Sequence, residues 1–472
     1  MAQINTRKAT GPGKIKNIQI SSNTESDKSV FLTDLIIDKF TYYESLFQDV
    51  IHASVTYIDS GGTIKAKGGN ELTTAVAGLP ITGSEKVNLL FEDPNEEEIE
   101  VTLYVNNVTE IVTDSTKSMV TLSMNSIEMF NNDKIRLNRR FDGKISDHIE
   151  KILKGGKSEA GDTLETEKEV HIEKTVGEYN KAFTNKKPFY MMNYFSTRAV
   201  PEGGQGNSAG FLLWETSEGF HFKSIDKLFG QKEKKSIIFN ETPGNPPPGY
   251  DIKALTFDKQ NRNDIKSKLE QGTYSTRLIT FDPFTLNYEV SYLNAGNKLG
   301  TVATGKGNED TLNKGGEEMP KLNPAIKSAK GGKNDFSRTT FQVLDTGSIP
   351  QGKTKSGVDQ TSAEITGGNE QVDKKEEKNA KPVETLNQAI MRLNQINTMK
   401  ISMTLPGDFT LHAGDAVKID SPQLSAARKS RKRQKVDDQT GGLYIIRDLC
   451  HYMTKDVTYT KINVVRDSFG KK

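Results

Sequence analysis

Apolar and polar residues alternate along most of the chain up to about residue 127, which is the period of a half-buried β-strand. Residues 41–48, TYYESLFQ, are predicted to link the first two strands, and residues 1–28 to form an arm or a weak edge strand. Five or more short strands within about 100 residues predict a small β-barrel or sandwich. The alternation is clearest at 30–40, 49–59, 86–93, 99–112 and 118–126.

The period then changes to that of a helix. The segment ISDHIEKILK at 145–154 places its isoleucines and Leu153 on one stripe, and a pair of glycines is predicted to end the helix. Pro188 near the start of 187–200 favours a second helix. Residues 210–225 are typical of a β-hairpin that turns at Ser-Glu-Gly. Residues 130–250 are therefore predicted to form a mixed α+β unit that ends at the breaker PGNPPPG.

The remaining chain contains a weakly folding stretch between two ordered ones. Residues 261–271 predict a helix and 273–294 return to strand character, whereas 295–384 are rich in Gly, Lys, Asn, Glu and Thr with one apolar island, FQVLDTG. We expect 295–384 to be a polar insertion, partly extended over other surfaces. An amphipathic helix at 384–400 and strands within 400–422 and 441–468 then predict a second small β-unit.

Composition favours several small cores rather than one large one. Only 34% of the 472 residues are hydrophobic, 27% are charged, and 40 are glycine. A typical globular domain has roughly 45–50% apolar residues with Gly included. At roughly 150 residues per domain the length suits about three domains. A single large enzyme core is not expected.

The charge balance and the absence of long apolar runs argue against nucleic acid and membranes as partners. The 64 basic and 62 acidic side chains leave a net charge of +2, without the basic excess that general nucleic-acid binders carry. No run of about 18 apolar residues predicts a membrane span, and the first residues show no apolar signal-peptide region. We expect a protein made in a cytoplasm, without membrane insertion.

One segment matches a phosphate-binding loop. Residues 347–354, GSIPQGKT, have the spacing of that motif, in which Gly347 and Gly352 would let the backbone wrap phosphates, Lys353 would reach the terminal phosphate and Thr354 would hold magnesium. The following residues lack the apolar stripe of the helix that such a loop requires. A nucleotide-dependent assembly factor is therefore kept as the alternative function, and no cofactor is expected.

Two charged runs have simpler interpretations. The basic run RKSRKRQK at 428–435 could contact phosphates or serve as a nuclear localisation signal, but without interleaved aromatic residues it does not favour stacking on single strands. Because it sits between two predicted strands and is followed by Asp437 and Asp438, a solvated loop or a contact with an acidic partner is favoured. The acidic run EDPNEEEIE at 92–100 lacks the spacing of a calcium loop and is expected to be a solvated hairpin tip.

Neither a metal site nor a catalytic nucleophile is predicted. None of the six histidines has a second Cys or His at metal-ligand spacing. Cys450 and His451 are adjacent on a predicted strand, where neighbouring side chains point to opposite faces, so they should not form a catalytic pair. Cys450 is expected to be a buried structural residue. The histidines are His52, His148, His171, His221, His412 and His451.

Several segments together resemble the baseplate hub proteins of contractile-tailed phages of the T-even-like myovirus type. The segments at 40–62 and 79–94 are similar to the hairpin and the next block of that family's first barrel. Residues 186–228 resemble its middle domain, and 405–468, with Pro-Gly, Gly-Asp and a closing Arg-Asp, resemble its second barrel. These segments cover about half of the chain, and their order and spacing match the family.

The resemblance implies an architecture. It would consist of a first tail-tube-like β-barrel with an N-terminal arm at 1–129, an α+β middle domain at 130–250, a second, discontinuous barrel at 251–294 and 385–472, and the insertion 295–384. Tyr43, Glu44 and Ser45 would set the first-barrel turn, and Pro406, Gly407, Gly414 and Asp415 would shape turns of the second barrel. Gly441 and Gly442 would let the chain re-enter that barrel after the basic loop.

The resemblance also implies a function and partners. The chain would be a non-enzymatic structural component of the virion tail baseplate. Its homotrimer would form a pseudo-six-fold ring that joins a trimeric tail spike to the hexameric tail tube, beside neighbouring baseplate proteins, and DNA would only pass through the lumen. The hub of a phage-related contractile injection system would share the same fold.

Overall fold

A computed structural model describes the following residues, which make up most of the chain. They are 11–24, 28–62, 64–65, 72–79, 81–114, 117–155, 163–203, 208–240, 244–261, 263–283, 286–294, 313–323, 325–326, 336–345, 379, 382–423 and 435–471. The fold is mainly β, with an α+β middle, as the sequence predicts.

The first β-unit contains nine strands and one short helix among the described residues. Its elements are β1 (Lys14–Ser21), β2 (Ser29–Phe31), a 3-10 turn (Leu32–Asp34), β3 (Ile36–Ser45), β4 (His52–Asp59), β5 (Ile64–Lys65), β6 (Leu72–Thr73), α1 (Ala75–Gly78), β7 (Lys86–Glu92), β8 (Glu98–Asp114) and β9 (Lys117–Asn125).

The middle unit follows directly. Its elements are α2 (Ile127–Lys134), β10 (Leu137–Phe141), α3 (Ile145–Lys154), β11 (Val170–Ile172), β12 (Lys181–Lys186), α4 (Pro188–Ser196), β13 (Phe211–Thr216), β14 (Gly219–Ser224) and α5 (Ile225–Phe229). The predicted helix at 145–154, the helix after Pro188 and the hairpin within 210–225 are all confirmed.

The rest of the chain forms the second β-unit and a small separate sheet. Its elements are β15 (Lys235–Ile238), β16 (Ile252–Lys253), β17 (Thr256–Asn261), α6 (Ile265–Glu270), β18 (Ser275–Asp282), β19 (Asn287–Asn294), β20 (Arg338–Val343), α7 (Pro382–Gln395), β21 (Met399–Pro406), β22 (Ala416–Asp420), β23 (Gly442–Met453) and β24 (Thr458–Arg466).

Each of the three units has its own apolar core. The first core lies inside β1, β3, β4 and β7 to β9, the middle core packs α3 and α4 on β13 and β14, and the third lies among β21 to β24. A further cluster joins the units, because it combines Leu46, Trp214, Ile396 and Ile445. The several small cores expected from composition are therefore present.

Two predictions about the first unit were wrong. Residues 14–21 form a strand that lies between β7 and β2 instead of an arm or an edge strand, with a register shift between Ile15 and Asn17. Its side chains Ile18 and Ile20 alternate into the core. Strand β3 continues to Ser45, so the link between β3 and β4 consists of residues 46–51 and not of 41–48. The apolar residues Phe40 and Tyr42 keep the alternation going through the predicted link.

Strand pairing also differs from the boundaries 251–294 and 295–384. Strand β18 pairs with β19 on one side and with β20, which lies within 295–384, on the other, in a sheet of their own. Strand β15, which lies before residue 251, pairs instead with β22 in the large sheet. The first residues of the apolar island, 341–343, thus belong to β20, because their backbone pairs with β18.

Candidate functional site

The two β-units share one sheet, and the seam lies between β3 and β23. These strands pair antiparallel over six residues, with Tyr43 opposite Cys450, Glu44 opposite Leu449 and Ser45 opposite Asp448. The Ser45 hydroxyl donates to Asp448 Oδ1 at 2.7 Å. A rigid hydrogen-bonded sheet, rather than a flexible linker, therefore connects the first unit to the second.

The register extends across seven strands drawn from both units. Directly paired residues point to the same face, so each row is a continuous line of side chains. One outward row contains only polar, aromatic or small side chains. Its members are Asn125, His52, Tyr43, Cys450, Lys461, Thr404 and Thr256.

Glu44 lies on the opposite, inward face at the point where the three units meet. Its Oε1 accepts hydrogen bonds from the Tyr42 hydroxyl at 2.9 Å and from the Ser217 backbone N–H at 3.0 Å. Its Oε2 accepts from the Ala413 N–H at 2.9 Å, and His412 Nδ1 lies 3.2 Å from Oε1. One fully buried carboxylate thus connects the first unit, the middle hairpin and the second unit.

Electrostatics favour the charged form of this pair. Burial opposes the charge on both side chains, but the neighbouring imidazolium and the two backbone N–H donors outweigh it and lower the pKa of Glu44. Burial likewise disfavours the charge of His412, yet the Glu44 carboxylate raises the pKa of that imidazole. Such a pair is costly to break, because either partner alone would be an uncompensated buried charge.

The structure places the three first-barrel residues in a strand instead of a turn. Ser45 is the last residue of β3, and its hydroxyl accepts from the Phe47 N–H at 3.2 Å, so it contributes to the turn that follows. Tyr43 stands on the outward face, with its ring centroid 5.7 Å from that of His52. Glu44 acts at the junction described above.

Pro406 and Gly407 lie where the second unit meets the hairpin between β7 and β8. Pro406 ends β21, and the Gly407 N–H donates to the Thr458 carbonyl at 3.1 Å. A Cβ at Gly407 would approach Pro94 Cδ to 3.1 Å and Thr458 Cγ2 to 2.7 Å. The Asn95 side chain donates to the Gly407 carbonyl at 3.3 Å. A side chain at position 407 would therefore separate the two surfaces.

The same hairpin, 92–100, is only partly the solvated tip that the sequence predicts. Asp93 and Glu92 are 2% and 6% exposed. Asp93 accepts from the Asn95 N–H at 2.6 Å within its own turn and from the Phe409 N–H at 3.1 Å in the second unit. Asp93 is thus a structural acceptor between units and Glu92 pairs with Lys14 of β1, whereas Glu96 to Glu98 are exposed.

Gly414 and Asp415 form the turn that receives the middle unit. Gly414 has φ +92°, and a Cβ there would lie 2.6 Å from Trp214 Cζ2. The Trp214 indole N–H donates to the Ala413 carbonyl at 3.0 Å. Asp415 accepts from the His412 N–H at 2.8 Å and pairs with Lys234 at 2.8 Å, so it holds the turn and anchors the start of β15.

Gly441 and Gly442 lie at the start of β23, after the charged loop. Gly442 has φ +125°, and the Gly441 carbonyl accepts from the guanidinium of Arg466 at 2.9 Å. Arg466 is completely buried and its guanidinium lies 4.5 Å from the centre of the Tyr444 ring. These two glycines are therefore close to the closing Arg-Asp pair, which the sequence resemblance also includes.

A second buried charge cluster was not predicted. Glu215 accepts from the Ser126 hydroxyl at 2.7 Å and from the Ile51 N–H at 3.1 Å, and it pairs with Lys168 at 2.5 Å. Lys168 also pairs with Glu128 at 2.7 Å. Burial raises the pKa of Glu215 to about 7 against the opposing charge of Lys168. Glu215 lies within the apolar strand FLLWET, and a carboxylate in such a strand could have indicated a buried charge pair.

This cluster lies in a cleft between the first and middle units. The cleft has a volume of about 550 Å³ and is lined by carboxylates and two lysines, Lys86 and Lys168. Among the described residues, no group of three His, Cys, Asp or Glu side chains could hold a metal ion. The described helices also include none that is long and apolar enough to cross a membrane.

Of the remaining sequence candidates, Cys450 and His451 lie in the described part of the chain, and the phosphate-loop motif and most of the basic run lie outside it. His451 is buried and its ring lies 5.9 Å from that of Tyr42, whereas Cys450 is half-buried on the other face, which confirms that they form no pair. Cys450 is less buried than expected, and its partial burial raises the pKa of its thiol. The loop at 347–354 and the basic run, except for Lys435, lie outside the described residues.

Comparisons with known proteins give fold likenesses only. No family model matches the chain, and no curated protein matches it in sequence. Among solved structures it is similar to a tail protein from Neisseria meningitidis MC58, with a TM-score of 0.48 and 8% identity over 96% of each chain. It is also similar to the 43 kDa tail protein of prophage MuSo2 from Shewanella oneidensis, with a TM-score of 0.47 and 10% identity, over 96% of this chain and 98% of that one.

A third solved structure shows a weaker likeness. The Escherichia coli c3393 protein, a component of the type VI secretion system, matches with a TM-score of 0.39 and 7% identity over 93% of this chain and 76% of that one. Identities and TM-scores this low carry no functional conclusion.

Proposed function

We propose that this chain is a structural, non-enzymatic hub of a phage tail baseplate, located in the virion. In this proposal, three copies form a ring of six β-units with pseudo-six-fold symmetry. The ring would join a trimeric spike on one side to the hexameric tail tube on the other, next to further baseplate proteins. The observation that carries the proposal is the single sheet that passes from one β-unit to the other through β3 and β23.

A junction between three-fold and six-fold partners requires two β-units at a fixed angle within one chain. Here each unit has its own core, and the seam between them is stabilised by a ladder of backbone hydrogen bonds. The buried Glu44–His412 pair and the contact of Asp93 with Phe409 add two further connections across the units. This fixed arrangement of the two units supports a role as a structural component of an assembly.

The outward face of the shared sheet suits a channel that DNA passes through. Most of its rows consist mainly of Thr, Ser, Asn and Tyr side chains, including Ser54, Thr56, Thr121 and Ser123. Only the last outward row of β4 and β9, with Ile58 and Met119, is apolar, and it is not part of the proposed channel wall. Thr56 and Thr121 hydrogen-bond to each other across β4 and β9 at 3.0 Å. A wall without a dense basic patch would not retain the phosphate backbone, because that binding depends on clustered Lys and Arg.

The mass of the purified chain in solution, measured by light scattering behind size exclusion, tests the proposal. The expected species has the mass of three chains, alone or after mixing with the trimeric spike protein of the same phage. Electron microscopy of that species should then show six β-units in a ring. A chain that stays monomeric both alone and with the spike would contradict the hub. Assembly with an injection-system spike instead would place the same hub in that setting.

A further inference from the structure

The small sheet of β18, β19 and β20 has two very different faces. Strand β18 is central, with β19 antiparallel on one side and β20 parallel on the other. Its inward side chains Thr276, Leu278 and Thr280 are 7%, 0% and 6% exposed. This face packs against the rest of the chain, so the opposite face points away from it.

The outward face is apolar along two cross-strand rows. Phe281 lies opposite both Tyr288 and Val343, and Ile279 lies opposite both Val290 and Phe341. Because directly paired residues share a face, the members of each row lie side by side. The apolar face of this sheet, below called the outer face, is defined by these two rows: Tyr288, Phe281, Val343, Val290, Ile279 and Phe341.

The outer face is highly exposed. Tyr288 is 73% exposed, Phe341 60%, Val343 53% and Val290 36%, and Leu286 next to it is 75% exposed. Aromatic side chains present about 150–250 Å² each and aliphatic ones less, so these residues together expose on the order of 500 Å² of apolar surface. That is at the upper end for a monomer, about 300–600 Å². It is most of the roughly 800 Å² per partner that a stable interface buries.

The chain carries a second exposed apolar surface on a different unit. Ile36, Ile58, Met119 and Ile111 lie directly opposite one another across β3, β4, β9 and β8. Ile36 is 66% exposed and Ile111 is 59% exposed. These four residues form the isoleucine row. The neighbouring row on the same strands is polar, with Thr56 and Thr121, so the isoleucine row is a distinct patch.

Two unlike apolar surfaces on one chain point to a neighbouring copy as the occupant. A closed ring uses heterologous contacts, in which each chain offers one surface to the next copy and a different surface to the previous one. Because both surfaces belong to the same chain, every copy that offers one surface also offers the other, so the two are present at equal concentration. Each surface alone would be a site of uncontrolled association if nothing covered it.

We propose that the outer face of one copy docks on the isoleucine row of the next copy. This inference rests on the proposed function in one respect, the ring of three copies. It adds which residues form the contact between copies, and it assigns a role to β20, the strand that lies within 295–384.

Charge-introducing variants of the full chain test the contact. Phe341→Glu and Ile111→Glu place a carboxylate on two exposed side chains, so each variant should keep the wild-type circular dichroism and melting profile. Each variant alone should lose the multi-chain species, with a drop in mass to one chain. Tyr190→Glu is the matched control, because Tyr190 is 53% exposed on α4, away from both surfaces, and it should keep the wild-type mass.

An equimolar mixture of the two variants gives the decisive measurement. The Ile111→Glu chain keeps an intact outer face and the Phe341→Glu chain keeps an intact isoleucine row, so the mixture should form a two-chain species that cannot close into a ring. A mixture that stays monomeric, or a single variant that keeps the wild-type mass, would overturn the proposed contact.

The same measurements, repeated with the spike protein, separate this inference from the hub itself. If the wild-type chain assembles and both variants assemble equally well, the contact is wrong and the hub stands. If a photo-crosslinker at position 288 reaches only the spike protein, the outer face serves the spike and the contact between copies is again overturned. A wild-type chain that never assembles would contradict both.

Discussion

The Nδ1 atom of His412 lies 3.2 Å from Oε1 of Glu44, and this contact joins a loop of the second β-unit to a strand of the first. Both side chains are buried, with Glu44 only 1% exposed. Backbone N–H groups of Ser217 and Ala413 complete the coordination of the carboxylate. The pair is therefore the polar centre at which three separately folded cores are held together.

Removing this carboxylate should destabilise the whole chain. Glu44→Ala leaves buried donors from all three units without an acceptor, and we expect a loss of about 3–5 kcal/mol in the free energy of unfolding. Urea denaturation followed by tryptophan fluorescence measures it, because Trp214 packs beside the same loop. Glu218→Gln, a 57% exposed side chain beside the same histidine, is the control and should change the free energy by less than about 0.5 kcal/mol. An equal loss in both variants would contradict the role of Glu44.

The Glu44–His412 pair should make stability depend on pH in a defined window. The pKa of His412 is raised in the folded state, so its contribution is complete below its ordinary value of 6.5 and is lost as the pH rises through the raised pKa. The pKa of Glu44 is lowered, so its contribution is present above 4.5 and is lost as the pH falls through the lowered pKa. The wild type should therefore exceed His412→Gln in stability most between about pH 4.5 and 6.5. A difference that is constant from pH 5 to 9 would argue against a charged pair.

The pH dependence of the histidine NMR signals should distinguish His412 at the junction from the histidines buried in the cores. Burial lowers the pKa of His451 to about 3, and that of His221, also by burial, to about 3. In a chain with isotope-labelled histidine, the imidazole signals of these two residues should stay constant between pH 5 and 8. The signal of His412 should instead change above pH 6.5. Assignment comes from the single His→Gln variants, and a His451 signal that titrates near pH 6.5 would show that this core admits solvent.

Gly414 should tolerate no side chain. Gly414→Ala combines φ +92° with a Cβ that would lie 2.6 Å from the Trp214 ring, so we expect a loss of about 3 kcal/mol. Gly249 is a closely matched control, with φ +94° and no atom within 4 Å of its Cβ position. Gly249→Ala should cost only about 1 kcal/mol from backbone strain. Thermal unfolding of both variants measures the difference, and equal losses would mean that the contact with Trp214 is unimportant.

The second charge cluster should be equally sensitive to loss of its cation. Lys168→Met leaves Glu128 and Glu215 buried together without a counter-charge, and we expect a loss of about 3 kcal/mol. Lys144→Met is the control, because Lys144 and its partner Glu202 are 42% and 46% exposed, and such pairs contribute little. Adding Glu215→Gln to Lys168→Met should recover part of the loss. If the double variant is no more stable than Lys168→Met alone, packing of the lysine stem, and not its charge, stabilises the cleft.

Much of the fold was determined by local sequence pattern. The stripe of Ile145, Ile149, Ile152 and Leu153 predicts helix α3 with its bounds, because helical periodicity is a property of ten successive residues. The alternation of the first unit likewise predicts most of its strands, and the Ser-Glu-Gly turn predicts the β13–β14 hairpin. These features depend on neighbours in the chain, so the sequence alone was sufficient.

Tertiary structure decided which of these elements meet. Glu44 was expected to set a turn, yet it lies in β3 and contacts His412, because the pairing of β3 with β23 brings together residues almost 400 positions apart. The outer face of β18 to β20 could not be predicted either, since β20 lies within the segment 295–384, far along the chain from its partner β18. Periodicity tells which side chains are buried, whereas only the packing of complete units decides which polar groups are buried with them and which apolar rows remain exposed.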